Sequence, residues 1–241
     1  MLKKNKINFP KEISHIGIIM DGNRRWAKSK GLKLYYGHRR GVESAKHIIE
    51  EAILLQVKNL TLYAFSSENW KRDPLEIKDL MNLLRLFLKK ELKNLIKSGI
   101  KLKILGDLSL FEKDIKKQIE EAIEYTKQNE KINLIIAINY GSRQEITNTL
   151  KFLINQVVNN NIHINDIDER IVGKALYTGD IPDPDLIIRT GGDTRLSNFL
   201  LWQSAYSELM FIDKPWPEFT KEDFSSAVND FLNRERRFGG F

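Results

Sequence analysis

The chain has 241 residues, 41% of them hydrophobic, with no cysteine and a formal net charge of +7. That length and apolar fraction suit one globular domain with a full core, and the composition excludes disulfides, thiolate nucleophiles and cysteine-bound zinc. No apolar run approaches the roughly 18 residues of a membrane-spanning helix. The charge favours anionic partners (nucleic acid, a phosphorylated small molecule or an acidic membrane surface), unless it is only the sum of lysine-rich helix faces.

Residues 1–11 carry lysines without the apolar stretch of a signal peptide, and they read as a flexible basic tail before a single domain over 12–241. A cytoplasmic protein is expected. Short apolar runs predict strands at His15–Met20, Asn59–Phe65, Ile100–Leu105, Ile132–Asn139, Leu186–Arg189 and Leu209–Ile212. Amphipathic periodicity predicts helices at Val42–Leu55, Glu76–Lys97, Ser109–Gln128, Arg143–Val158, Asp166–Tyr177 and Lys221–Arg236. The alternation implies an α/β fold: a single domain with a mostly parallel six-stranded sheet flanked by helices.

In such sheets the ligand crevice lies beyond the carboxyl ends of the strands. The segments that follow each strand are therefore the informative ones. The first strand stops at Asp21 and runs into Gly22, Asn23, Arg24, Arg25 and Trp26. Gly22–Ser29 nearly matches a nucleotide P-loop, but Ala27 replaces the second glycine and bulky Arg24, Arg25 and Trp26 stand where the backbone would wrap phosphate. A simpler reading has the arginine forks binding phosphate oxygens in pairs. A carboxylate among them would repel phosphate unless a cation stood between. Mg²⁺ suits that place, because it takes one or two carboxylates together with substrate phosphates. Asp21 is thus the expected metal ligand and the centre of the site.

The second strand is followed by Ser66, Ser67, Glu68, Asn69, Trp70 and Arg72, which offer hydrogen-bonding groups, a flat apolar wall and another phosphate fork. The strand ending at Arg189 leads to Gly191-Gly192 and then Arg195, Leu196 and Ser197, a second anionic pocket. Glu208 could support the metal or orient an arginine. His38, in "YYGHRRG", could donate to phosphate or cap a helix. Glu76–Lys97 is too apolar for an ordinary amphipathic helix: Ile77, Leu80, Met81, Leu84, Leu88, Leu92 and Leu95 share one face, with Leu83, Leu86 and Phe87 beside it. It is either buried on two sides or it lines an apolar tunnel. The second case suits a substrate with a charged head and a hydrocarbon tail. No H-E-x-x-H or G-x-S-x-G motif occurs.

The stretches "MDGNRRWA", "GHRRG", "YAFSSENW", "NYG", "IRTGGD", "SNFLLWQ" and the terminal "NRERRFGG" resemble, in order and spacing, those of the cis-prenyltransferases, the isoprenyl transferase family that includes the undecaprenyl diphosphate synthases. The resemblance runs from His15 to Gly240. It implies Mg²⁺-dependent, sequential condensation of isopentenyl diphosphate onto farnesyl diphosphate. The product would be a polyprenyl diphosphate of undecaprenyl type, the lipid carrier for cell-wall synthesis. It also implies a homodimer, a product that partitions to membrane, loose membrane association of the enzyme, and no nucleic-acid partner. By position it implies metal binding at Asp21 and Glu208 and catalytic roles for Asp21 and Asn69, the latter assisting proton removal. Substrate contacts are implied for Gly22, Asn23, Arg24, Arg25, Trp26, His38, Ser66, Ser67, Glu68, Trp70, Arg72, Arg189, Arg195, Leu196, Ser197, Arg237 and Gly239. The sequence departs from the family at Leu34, where an arginine is usual, and at Arg24, where glycine is common. Lys33 or Arg40 could take the place of the missing clamp.

Overall fold

In a parallel sheet covered on both faces the inner strands are largely apolar, as Ile16–Ile19 and Leu186–Ile188 are, while an edge segment such as Ile100–Leu105 alternates with Lys101 and Lys103. The computed structural model describes residues 13–235. In chain order it runs β1 (His15–Ile19), α1 (Asn23–Ser29), α2 (Leu34–Leu54), β2 (Asn59–Ser66), α3 (Pro74–Lys97), β3 (Ile100–Leu105), α4 (Lys113–Thr126), β4 (Ile132–Tyr140), α5 (Ser142–Val158), α6 (Glu169–Ala175), β5 (Leu186–Thr190), β6 (Glu208–Ile212) and α7 (Lys221–Leu232). Short 3₁₀ turns occupy Ser67–Lys71, Ile164–Asp166 and Trp216–Glu218. The six strands form one parallel sheet in the order β3-β4-β2-β1-β5-β6. No helix among the described residues is long and apolar enough to cross a membrane.

The chain leaves β1 toward β2 on one side and later returns to pair β5 on the other. Such a reversal opens a crevice at the carboxyl end of the strand where it occurs. In register, Ile19 lies beside both Tyr63 of β2 and Arg189 of β5. The crevice is therefore framed by Asp21 after β1, Ser66–Arg72 after β2 and Arg189–Ser197 after β5.

One face of the sheet packs Ile16, Ile18, Leu60, Leu62 and Ile138 against apolar residues of α2, α3, α4 and α7. The other packs Ile19, Ala137, Tyr140 and Ile187 around Phe199 and Leu200. A bulge at Ala64 shifts the β2–β4 register, so that Tyr63 sits opposite Ala137 and Phe65 opposite Ile138. Residues two apart on a regular strand share a face. The extra residue instead puts Tyr63 on the Phe199 side, with ring centroids 4.6 Å apart, and Phe65 on the α3 side. The bulge lies against the crevice and re-aims two aromatic rings there.

Two differences from the sequence reading matter for the site. Residues 23–29 form a helix of their own, and α2 begins at Leu34, eight residues before the expected start. The early turns of α2 carry polar residues and Gly37 and Gly41, which conceal the helical period. Their role is spatial. A Cβ at Gly37 would stand 2.4 Å from the Asn23 carbonyl oxygen, and one at Gly41 would stand 2.5 Å from Asn23 Oδ1. The bare backbone of α2 is what lets the first turn of α1 lie on it.

His15, at the start of β1, is fully buried. Its Nδ1 is 2.7 Å from the Pro182 carbonyl, and its Nε2 is 2.7 Å from Thr61 Oγ1. A carbonyl only accepts, so the ring carries its proton on Nδ1 and accepts from Thr61. Burial lowers its pKa to about 4, against the opposing pull of Pro182 and Asp185. It is a pin between β1, β2 and the segment before β5.

Candidate active site

The end of β1 is fixed by its neighbours. The Asp21 carbonyl accepts from Thr190 Oγ1 at 2.8 Å and from the Trp216 N–H at 2.8 Å. Gly22 follows with φ +106°, and a Cβ there would stand 2.7 Å from Pro215 Cβ, so this tight turn into α1 requires glycine. The Asp21 carboxylate is held open toward the crevice. Oδ1 accepts from its neighbour's Gly22 N–H at 2.6 Å, and Oδ2 accepts from Arg189 Nη2 at 2.8 Å.

Arg189 is the buried member of that pair, with 4% of its side chain exposed. Its Nη1 donates to the Arg195 carbonyl at 2.5 Å and to Ser197 Oγ at 2.7 Å. A second carboxylate, Asp193, gathers the remaining cations. Its Oδ2 lies 2.9 Å from Arg195, 3.2 Å from Arg25 and 3.5 Å from Arg189. Partial desolvation works against it, but Arg195 and Arg25 hold the Asp193 carboxyl below its ordinary range. Across the crevice, Asn69 Oδ1 accepts from the Ser66 N–H at 3.1 Å and fixes the turn after β2. Behind that turn a further cluster forms: Glu76 Oε2 accepts from Arg24 at 2.5 Å, and Glu76 Oε1 accepts from Arg72 at 2.8 Å. His38 Nε2 stands 3.4 Å from the same Oε1. Burial holds the His38 imidazole below its ordinary pKa, opposed by Glu76.

These groups line a polar cavity of about 430 Å³, a volume typical of small-molecule sites. Twelve expected residues meet there: Asp21, Gly22, Asn23, Arg24, Arg25, His38, Ser66, Asn69, Arg72, Arg189, Arg195 and Ser197. The polar cavity adjoins an apolar cavity lined by Leu80, Met81, Leu83, Leu84, Phe87 and Leu88 of α3 and by residues of α2, β2, β3 and β4. The two cavities share Met20, Asn23, His38, Tyr63, Ala64, Phe65 and Leu80. The apolar face of α3 thus does line a slot beneath the charged rim.

Other expected residues lie elsewhere. Trp26 turns outward, its Nε1 donating to Glu218 at 2.9 Å. Trp70 stands behind the cavity wall, packed on Phe65 and Phe111 and donating to Asn139 Oδ1 at 2.8 Å. Ser67 donates to Glu68, and Glu68 ties back to Asn198, both beside the cavity lining. Leu196 packs into the second core cluster. Glu208 begins β6 opposite Leu186, at the amino end of the sheet. It is three register positions, about 10 Å, from the strand end that bears Arg189. Its partner is Arg234 at 2.8 Å. Arg237 and Gly239 lie outside the described residues, as does the basic tail at 1–11. The sequence reading missed Asp193 and Glu76. For Glu76 the one local cue is its i,i+4 spacing from Arg72.

The fold and cavity define an open parallel α/β protein with an arginine-rich rim above an apolar slot. Over residues 19–239 the chain matches the prenyltransferase family model, that of undecaprenyl diphosphate synthase. It is 50% identical to the isoprenyl transferase of Clostridium perfringens, the match covering 94% of this chain and 89% of that one. It is 49% identical to the isoprenyl transferase of Rickettsia bellii, over 94% and 98%. Among solved structures, the lavandulyl diphosphate synthase of Lavandula x intermedia, in complex with dimethylallyl diphosphate, superposes with a TM-score of 0.92 at 35% identity, covering 94% and 98% of the two chains. A probable undecaprenyl diphosphate synthase from Campylobacter jejuni does so at 0.79 and 34%, covering 95% and 99%. The chain belongs to the undecaprenyl diphosphate synthase family of isoprenyl transferases and is a prenyltransferase.

Proposed function

We propose that this transferase condenses isopentenyl diphosphate units one after another onto farnesyl diphosphate, making cis double bonds and a polyprenyl diphosphate of undecaprenyl length for use as a cell-wall lipid carrier. The observation that carries the reading is the adjacency of the two cavities: a rim of five arginines shares its inner lining with an apolar slot. For a diphosphate bound on the rim, the adjoining slot offers its hydrocarbon a dry surface to occupy.

The donor set fits a single Mg²⁺. Asp21 and Asp193 are hard oxygen ligands, both partly exposed and both held by the same two guanidinium groups, Arg25 and Arg189. Mg²⁺ needs only one or two carboxylates when phosphates and waters complete its shell. Bound there, it would supply neutralisation of the charge that develops on a departing diphosphate. Within one chain Glu208 stands away from this pair, and we leave it out of the ligand set.

The protein's own groups do the rest. Arg24, Arg72 and His38 hold the allylic diphosphate at the mouth of the slot. Arg189, Arg195 and Ser197 hold the second diphosphate, so that the two carbon centres meet between them. Guanidinium groups stabilise the departing diphosphate as the allylic carbon gains positive character. The isopentenyl double bond forms the new C–C bond, the C–O bond to the diphosphate breaks, and one proton leaves. Asn69 is too weak a base to keep that proton; it orients the turn, and a diphosphate oxygen accepts the proton. As the chain lengthens it advances into the slot.

A homodimer accompanies this reading. Trp202, Tyr206, Leu209 and Phe211 expose apolar surface beside the edge strand β6, a face suited to cover by a second copy. A cytoplasmic enzyme with loose membrane association also follows, because the substrates are polyanions and the product tail is hydrocarbon. The test is to incubate the purified protein with farnesyl diphosphate, labelled isopentenyl diphosphate and Mg²⁺ and to size the extracted lipids. Label in a long-chain lipid is the expected result. Label recovered only in isopentenyl diphosphate overturns the reading.

A further inference from the structure

Glu76 is a buried carboxylate; its place in a helix first turn favours a negative charge but does not account for the cations gathered around it. It lies in the first turn of α3, with 5% of its side chain exposed, and the cap of that helix is already supplied by Asp73, which accepts from the Leu75 N–H at 2.8 Å. Replacing a buried ion pair by a well-packed apolar group commonly costs a fold nothing. Yet three other elements aim cationic or ionisable groups at this one carboxylate: Arg24 from α1, Arg72 from the turn after β2, and His38 from α2.

The geometry is one-sided. Glu76 takes a single Nη from each arginine, while 69% of the Arg24 side chain and 38% of that of Arg72 stay exposed. Both arginines line the polar cavity. His38 Nε2 is buried without a hydrogen-bond partner at the junction of both cavities. One negative charge under two positive ones leaves a net positive grip. Its members are held in place before a ligand arrives, so less rotamer entropy is lost on binding.

We propose that Glu76 is a positioning residue: it gathers Arg24, Arg72 and His38 into one anion grip at the mouth of the apolar slot and so selects the diphosphate that carries the long tail. The inference rests on the proposed function above. Leu80, one helical turn further along α3, lines both cavities, so a head group on this grip has its tail directed into the slot. The clamp formed by Arg189, Arg195 and Ser197 makes no contact with Glu76 and is governed by Asp21 and Asp193 instead.

The test compares the full-length wild type with Glu76→Gln, which keeps the volume, and with Glu76→Asp, which keeps the charge. KM for farnesyl diphosphate, KM for isopentenyl diphosphate and kcat are measured with Mg²⁺ present, and inorganic pyrophosphate binding is followed by calorimetry. Glu76→Gln should raise KM for farnesyl diphosphate about tenfold, the size expected when a charge-assisted clamp loses its anchor. KM for isopentenyl diphosphate should stay within about twofold, with Glu76→Asp falling between wild type and Glu76→Gln. In an Arg24→Ala background the Glu76→Gln effect should shrink, since the two act through one contact. Equal shifts of both KM values, no shift of either, full additivity with Arg24→Ala, or failure of both variants to fold would each overturn the proposal and leave Glu76 a structural carboxylate. A wild type that binds pyrophosphate but never turns over farnesyl diphosphate would overturn the functional reading instead; the pyrophosphate affinities of the variants would then still decide the role of Glu76.

Discussion

Gly37→Ala isolates the link between helix packing and chemistry. The new Cβ would begin 2.4 Å from the Asn23 carbonyl oxygen, which is backbone and has no rotamer to yield. Ordinary contact requires about 1 Å more, so α1 must shift by roughly that amount and carry Arg24 and Arg25 with it. Two terms then compete in stability. Alanine gains roughly 1 kcal/mol over glycine inside a helix, and overpacking costs about 1–3 kcal/mol. The net is a loss of about 0–2 kcal/mol, no more than about 8 °C in Tm for a chain of this size. The effect on chemistry is larger, because a displacement of about 1 Å at a binding group can cost about 10²-fold in rate. Initial rates with farnesyl diphosphate and labelled isopentenyl diphosphate, alongside a thermal melt, give both quantities. Gly173→Ala in α6 is the control: its Cβ would meet only Trp202 Nε1, at 3.9 Å. It should raise Tm slightly and leave turnover alone. A Gly37→Ala enzyme with turnover within twofold of wild type and a raised Tm would refute the argument that bare helix backbone positions the arginines.

Asp21→Ala should lower turnover by about 10³-fold or more while removing about 1–3 kcal/mol of stability, since buried Arg189 keeps Ser197 and the Arg195 carbonyl as acceptors; labelled-lipid assays with denaturant titration check both parts, and near-normal turnover would contradict the site assignment. Ala45→Leu, on the α2 wall of the apolar cavity, should shorten the lipid products without changing the first condensation, as read by chromatographic sizing after a time course. Stability should fall as pH drops from about 6.5 toward 4. His15 binds its proton more weakly folded than unfolded, so below its unfolded pKa the unfolded state takes up the extra proton. The full drop is up to about 3 kcal/mol, and His15→Gln, already destabilised at pH 7, should show a flatter Tm between those pH values.

Much of the fold was legible because its inner strands are largely buried on both faces. Burial makes β1 and β5 short apolar runs, the edge strands β3 and β6 keep enough apolar residues to stand out between turn signals, and all six strands and their order along the chain follow from the residues alone. The rim was legible for a related reason. Crevices open at carboxyl ends, and the polar residues after β1, β2 and β5 could be read as site residues before any neighbour was known. Asp21, Arg189, Arg195 and Ser197 accordingly meet around one cavity. The resemblance supplied what spacing could not, namely which anions such a rim holds.

Pairing across long separations depended on the tertiary structure. Glu76 is 52 residues from Arg24, and Asp193 is 168 residues from Arg25; no local period marks either contact. Side-chain direction was likewise undetermined. Trp26 and Trp70 sit in the expected motifs, yet one faces Glu218 and the other the core, because the helix phase of α1 and the turn after β2 decide where they point. The bulge at Ala64 and the placement of Glu208 at the amino end of β6 are matters of register, which two strands settle jointly. Sequence alone determined which segments are apolar and which charged groups follow them, because burial and turn chemistry act locally. Three-dimensional packing decided which charges meet, because a Coulombic contact depends on distance in space and not on distance along the chain.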